Sequence, residues 1–158
     1  MLGMAFIGLV GVGWWWLNKA TEIEMIGKPA DEMARETGLP FPSDASKIHY
    51  FLHAGGLQYL QIYGKFDCPA DRADAIVAEF IDDNDGQLGR GPGALPARQT
   101  VTAGPFGTMG SGDFKLPWWD LDPAKVRKAI LLNQSHVMQF WIEPSGSTEA
   151  TIYFYMGD

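Results

Sequence analysis

Cysteine is almost absent: Cys68 stands alone in 158 residues. No intramolecular disulfide can form, so an apolar core must hold the fold. A lone cysteine is compatible with either side of a membrane and reads as a small buried hydrophobe rather than a nucleophile. Positive charge is scarce too. Lys and Arg number 12 against 19 Asp and Glu, the net charge is −7, and no basic run appears. That excludes the electrostatic footprint of a nucleic-acid partner and works against adhesion to anionic headgroups.

Catalytic and ligand motifs are also missing. Gly86 to Gly93 and Gly107 to Gly112 are glycine-rich, but neither carries G-K-[ST] or joins a strand to a helix, so neither reads as a phosphate cradle. Asp82-Asp83-Asn84-Asp85-Gly86 fails as a calcium loop, because Ile81 and Pro92 stand where acids are needed. His49 and His53 have metal-ligand spacing only on a helix. On the strand expected here they lie about 13 Å apart, at ~3.3 Å per residue. No nucleophile elbow is present. Asp120 and Asp122 beside Trp118 and Trp119 would suit a sugar site, although a helix cap explains Asp122 equally. No catalytic residue, cofactor or metal is therefore expected. A hydrolase built on Asp120 or His49 would require those side chains to converge in a concave pocket.

What the chain does have begins at its start. Met1 to Leu17 is apolar, and as a helix its 16 residues from Leu2 would cover roughly 24 Å. A hydrocarbon core is about 30 Å thick, so local thinning, with Lys19 snorkelling, makes a span feasible. Trp14, Trp15 and Trp16 would sit at the membrane interface, and Gly8 and Gly11 would let another helix approach. A cleaved secretory signal and a buried core helix compete with this reading. The signal would want a basic start and a small-residue cleavage site; no Lys or Arg precedes the run, and three tryptophans stand where cleavage would fall. The favoured organisation is a transmembrane anchor at 1–19 and a soluble α+β domain at 20–158.

Within the domain, Lys28 to Thr37 reads as a helix, with Pro29 in its first turn and Gly38 after its end. Lys47 to His53 and Leu57 to Phe66 alternate like the strands of a hairpin. Pro69 to Asp83 carries an apolar stripe of Ala73, Ile76, Val77 and Phe80 at helical spacing. A Gly/Pro-rich arm at 86–117 follows, long enough to be a functional or wrapping segment. Asp122 and Pro123 open a second helix, with Val126, Ala129 and Ile130 facing inward. Val137 to Glu143 and Thr148 to Met156 form a second hairpin. The fold class is then α+β: an N-terminal transmembrane helix, then a four-stranded antiparallel sheet with helices packed on one face.

One sheet face would carry Leu60, Ile62, Phe140, Ile142, Ile152 and Phe154 against the helical stripe. The other would carry Tyr59, Tyr63, Trp141, Tyr153 and Tyr155. With Trp118 and Trp119 these make an aromatic surface of the kind that binds partners. Alternatively the arm and Trp118/Trp119 close over the face as a second small core. The two readings are compatible if the arm itself docks on a partner.

Leu39-Pro40-Phe41-Pro42-Ser43-Asp44-Ala45-Ser46 running into a strand, Pro117-Trp118-Trp119, and the Tyr-rich final hairpin resemble uncharacterised bacterial envelope proteins with an N-terminal anchor and a small α+β domain. The resemblance implies no activity. It implies a bacterial inner-membrane, single-pass protein with a periplasmic domain, whereas Lys19, Lys28 and Arg35 after the span would by themselves favour the cytoplasm. The expected function is a non-enzymatic accessory or structural subunit of a larger membrane complex, with a respiratory or photosynthetic assembly as a candidate host. Its partners would be the lipid bilayer and other membrane subunits. The alternative is a membrane-tethered extracytoplasmic module that binds a small molecule or an envelope glycan.

Overall fold

A computed structural model describes residues 21–39, 41–55, 59–84, 97–101, 114–133 and 137–157. The chain is mostly β. Strands β1 (Thr21–Ile26), β2 (Ser46–Gly55), β3 (Tyr59–Pro69), β4 (Ala97–Val101), β5 (Lys128–Asn133), β6 (Val137–Pro144) and β7 (Glu149–Gly157) form one sheet. Helix α1 (Ala30–Thr37) lies between β1 and β2, and α2 (Ala73–Asn84) between β3 and β4. The sheet has 7 strands in the order β1-β2-β3-β7-β6-β5-β4. Two meanders meet where β3 and β7 pair antiparallel, from Gln61↔Gly157 to Pro69↔Glu149.

The expected fold class is corrected in three places. Thr21–Ile26, outside the four expected strands, is a strand paired with β2. Part of the Gly/Pro arm is strand β4. The helix expected after Asp122 is a single turn followed by β5, whose six residues pair with β6. Val126, Ala129 and Ile130 fit both periodicities. Pairing decides between them, because Ala129 and Ile130 then point to opposite faces of the sheet and are both buried.

The transmembrane, single-pass architecture is corrected as well. Helices α1 and α2 have 8 and 12 residues. They rise about 12 and 18 Å, short of a core of about 30 Å. No helix among the described residues is long and apolar enough to cross a membrane. The apolar stretch itself, with Gly8, Gly11, Trp14, Trp15 and Trp16, lies outside the described residues.

Both helices cover one face. Helix α1 follows Pro29 and ends at Gly38, whose left-handed φ of 74° lets its N–H reach the Ala34 carbonyl. It buries Met33. Helix α2 buries Ala73, Ile76, Val77, Phe80 and Ile81. Beneath them lie Ile62, Phe140, Ile142, Ile152 and Phe154 of the row expected there, joined by Phe66, while Leu60 of that row is exposed. Cys68 is buried in this core, and burial pushes its thiol pKa up to about 11.

A second core lies on the opposite face. Tyr63, Trp141, Tyr153, Tyr155 and Phe51 are buried there under Leu116, Trp118 and Val126. Among the described residues the central strands of the sheet are therefore covered on both sides.

Candidate functional site

The segment from Phe114 to Arg127 makes the second cover, and aromatic packing fixes its course. Trp119 sits edge-on between Tyr63, Trp141 and Tyr153, with ring centroids 5.3, 6.0 and 5.4 Å away. Trp118 stacks on His49 at 5.3 Å, and its Nε1–H donates to Glu24 Oε1 at 2.8 Å on β1. These contacts bring the next residue, Asp120, onto the sheet. Its Oδ1 accepts from Lys65 Nζ at 2.5 Å and from the Tyr153 hydroxyl at 2.8 Å. Lys65 also donates to the Trp118 carbonyl at 3.3 Å and lies 5.2 Å from the Tyr153 ring centre.

Beside this cluster opens a polar cleft of about 310 Å³. Three cations line it, Lys47, Lys65 and Lys125, with three acids, Asp67, Asp120 and Glu143. Lys47 enters through a break in the β2–β3 register between Ser46 and His49, with a left-handed φ of 48°. Such a conformation is uncommon outside glycine, and bulges of this kind re-aim side chains beside functional sites. Its ammonium pairs with Asp67 Oδ2 at 2.8 Å. Asp67 Oδ1 accepts from the Thr151 hydroxyl at 2.7 Å. Lys125 lies 3.3 Å from Asp122 and 3.9 Å from Glu143. His49 and Ser145 complete the lining used below.

The protonation states follow from these contacts. Burial works against charge on Asp120, yet hydrogen bonds from Lys65 and Tyr153 hold its carboxyl below the usual carboxylate value. Burial, then the bond to Asp120, pushes the Tyr153 phenol far up, so it stays a donor. Burial, with Lys65 adding to it, pulls His49 below the ordinary imidazole value. Near neutral pH the cleft thus holds an ionised Asp120, a protonated phenol and a neutral imidazole. The Tyr153 hydroxyl already faces a carboxylate stabilised as an anion, which makes Asp120 an orienting acceptor rather than a base.

The aromatic residues expected to bind a partner converge. Tyr63, Trp141, Tyr153 and Tyr155 are buried under the chain's own cover, to which the buried Trp118 and half-buried Trp119 belong. Tyr59 falls on β3, with its side chain outside the described residues. His49 and Asp120 also converge, at the cleft. Asp122 caps a turn rather than a helix, accepting from the Ala124 N–H at 3.0 Å. Lys47, Lys65, Asp67 and Thr151 were not singled out from sequence. Their signal was the alternation Tyr63, Lys65, Asp67, which puts two charges on the aromatic face of β3. Among the described residues no group of three or more His, Cys, Asp or Glu is placed to hold a metal ion.

No protein-family model matches this chain, and no curated protein or solved structure matches it either. The functional reading therefore rests on the cleft.

Proposed function

We propose that the chain is a non-enzymatic binding domain that holds a small polar molecule in the cleft between Lys47, Lys65, Asp120 and Lys125. The observation that carries this is the concentration of ion pairs at one concavity on a sheet whose central strands are packed on both faces. About 310 Å³ is at the small end of ligand pockets, and charged walls favour a polar occupant. Hydrolysis is the weaker reading of the same site, because Asp120 is held by Lys65 and Tyr153 rather than poised against a nucleophile. The test is thermal unfolding of the wild type and Lys65→Met against a panel of anionic, neutral and cationic metabolites. A ligand that raises the wild-type midpoint but not the variant's supports the reading. Failure of every compound, or equal shifts in both proteins, overturns it.

A second reading keeps the accessory-subunit role, with other protein subunits as partners. It is favoured by β1, an edge strand among the described residues, with Ile23 and Ile26 exposed. Exposed strand edges accept a partner's strand through backbone hydrogen bonds. Ile23→Lys should weaken co-purification with such a subunit.

A further inference from the structure

We infer that the ligand of this cleft is a compact oxyanion, met by the ammonium groups of Lys47 and Lys125, and that His49 takes up a proton as it binds. The inference rests on the small-molecule reading above and names the chemistry of that same site.

Exposure separates the charges. The Lys47 side chain is 68% exposed and its partner Asp67 9%. Lys125 is 63% exposed and Glu143 13%. In both pairs the acid is sunk in the wall and the ammonium stands at the mouth. Asp67 has spent both oxygens, on Lys47 and Thr151. An ammonium carries three donors, so Lys47 keeps donors free after pairing with Asp67. Lys125 is held loosely: its contacts of 3.3 Å to Asp122 and 3.9 Å to Glu143 exceed the roughly 2.7–2.9 Å of a tight charge-assisted bond, and its ammonium keeps donors free. The Ser145 hydroxyl lines the same space. Asp120 is the exposed acid, but Lys65 matches its charge and shares its Oδ1 with Tyr153. The ammonium groups of Lys47 and Lys125 therefore stand with spare donors at the mouth while Asp67 and Glu143 lie in the wall, which suits an anion.

His49 is the titrating member of the cleft. Its Nδ1 has no hydrogen-bond partner among the described residues. Lys65 and Asp67 face it from β3, Asp120 from the covering segment and Glu24 from β1. An oxyanion placed among them favours the imidazolium. Affinity must then rise as pH falls through the pKa of the bound form, and level off below that of the free form.

Sulfate is the probe for the pH series because it does not titrate between pH 5.5 and 8; succinate, whose second carboxyl takes up a proton toward the acid end of that range, is its carboxylate counterpart at pH 8. Binding is measured by calorimetry at constant ionic strength, since exposed charges are screened by salt. The imidazole resonances of the three histidines report protonation site by site. Saturable binding of either anion is expected, weakened about tenfold in Lys125→Met, as for loss of a bond to a charged group. Sulfate binding should tighten toward pH 5.5 in the wild type and not in His49→Gln. Thermal unfolding checks that both variants are folded. If neutral or cationic compounds bind and neither anion does, the oxyanion assignment falls while the small-molecule reading stands. If nothing of any charge binds, both fall. Anion binding untouched by Lys125→Met places the anion elsewhere and overturns the assignment, and pH-independent binding overturns the role of His49.

Discussion

Replacing Gly64 with alanine tests how β3 and β7 are joined. Gly64 pairs with Phe154 across these two strands and with Tyr50 on β2. A Cβ built on Gly64 falls on the Phe154 ring, nearer than 3.0 Å to three of its carbons. The ring has nowhere to go. Phe154 is 0% exposed, and the rings of Phe41, Phe66, Phe80 and Phe140 surround it at 6.1, 6.3, 5.2 and 6.3 Å. By backbone preference alone, Gly64→Ala in a strand would stabilise by roughly 0.5–1 kcal/mol. Overpacking costs about 1–3 kcal/mol, and a ring trapped on every side puts this site at the upper end. The net loss should be about 2 kcal/mol, a fall on the order of 4–8 °C in Tm for a chain of this size. Urea unfolding followed by tryptophan fluorescence measures it. In a Phe154→Leu background the added methyl finds room, so the cost of Gly64→Ala should largely vanish. A Gly64→Ala variant as stable as wild type, or costs that simply add in the double variant, would refute this account of the junction.

Two further variants probe the same framework. Thr151→Val keeps the shape but leaves the buried Asp67 carboxylate short of one donor, and should cost about 1–3 kcal/mol by urea unfolding at unchanged m-value; an unchanged midpoint would dismiss that bond. Cys68, its thiol pushed up to about 11 by burial, should react with iodoacetamide at pH 8 at least about a hundredfold more slowly than free cysteine, with normal reactivity returning in denaturing urea. Prompt labelling of the folded protein would mean that the first core opens readily at β3.

Elements whose signals lie within a few residues of one another were legible along the chain. Pro29 and Gly38 bracket α1 because one tolerates a missing N–H and the other a left-handed turn. The alternation along the strands marked two hairpins and put Ile62, Phe140, Ile142, Ile152 and Phe154 on one buried face, with Leu60 the member that stays exposed. Tertiary structure decided the rest. Ala129 and Ile130 satisfy a helical and a strand period alike, and only pairing with β6, from Lys128 on, selects the strand. The aromatic face was legible, but whether a partner or the chain's own segment covers it depends on where Trp118 and Trp119 dock. The cleft was least legible of all. Lys47, Lys65, Asp120 and Tyr153 come from four stretches of chain, and their meeting depends on the β2–β3 bulge, the β3–β7 register and the path of the covering segment. No spacing along the chain encodes such a meeting, because strand register is set by long-range packing of both faces.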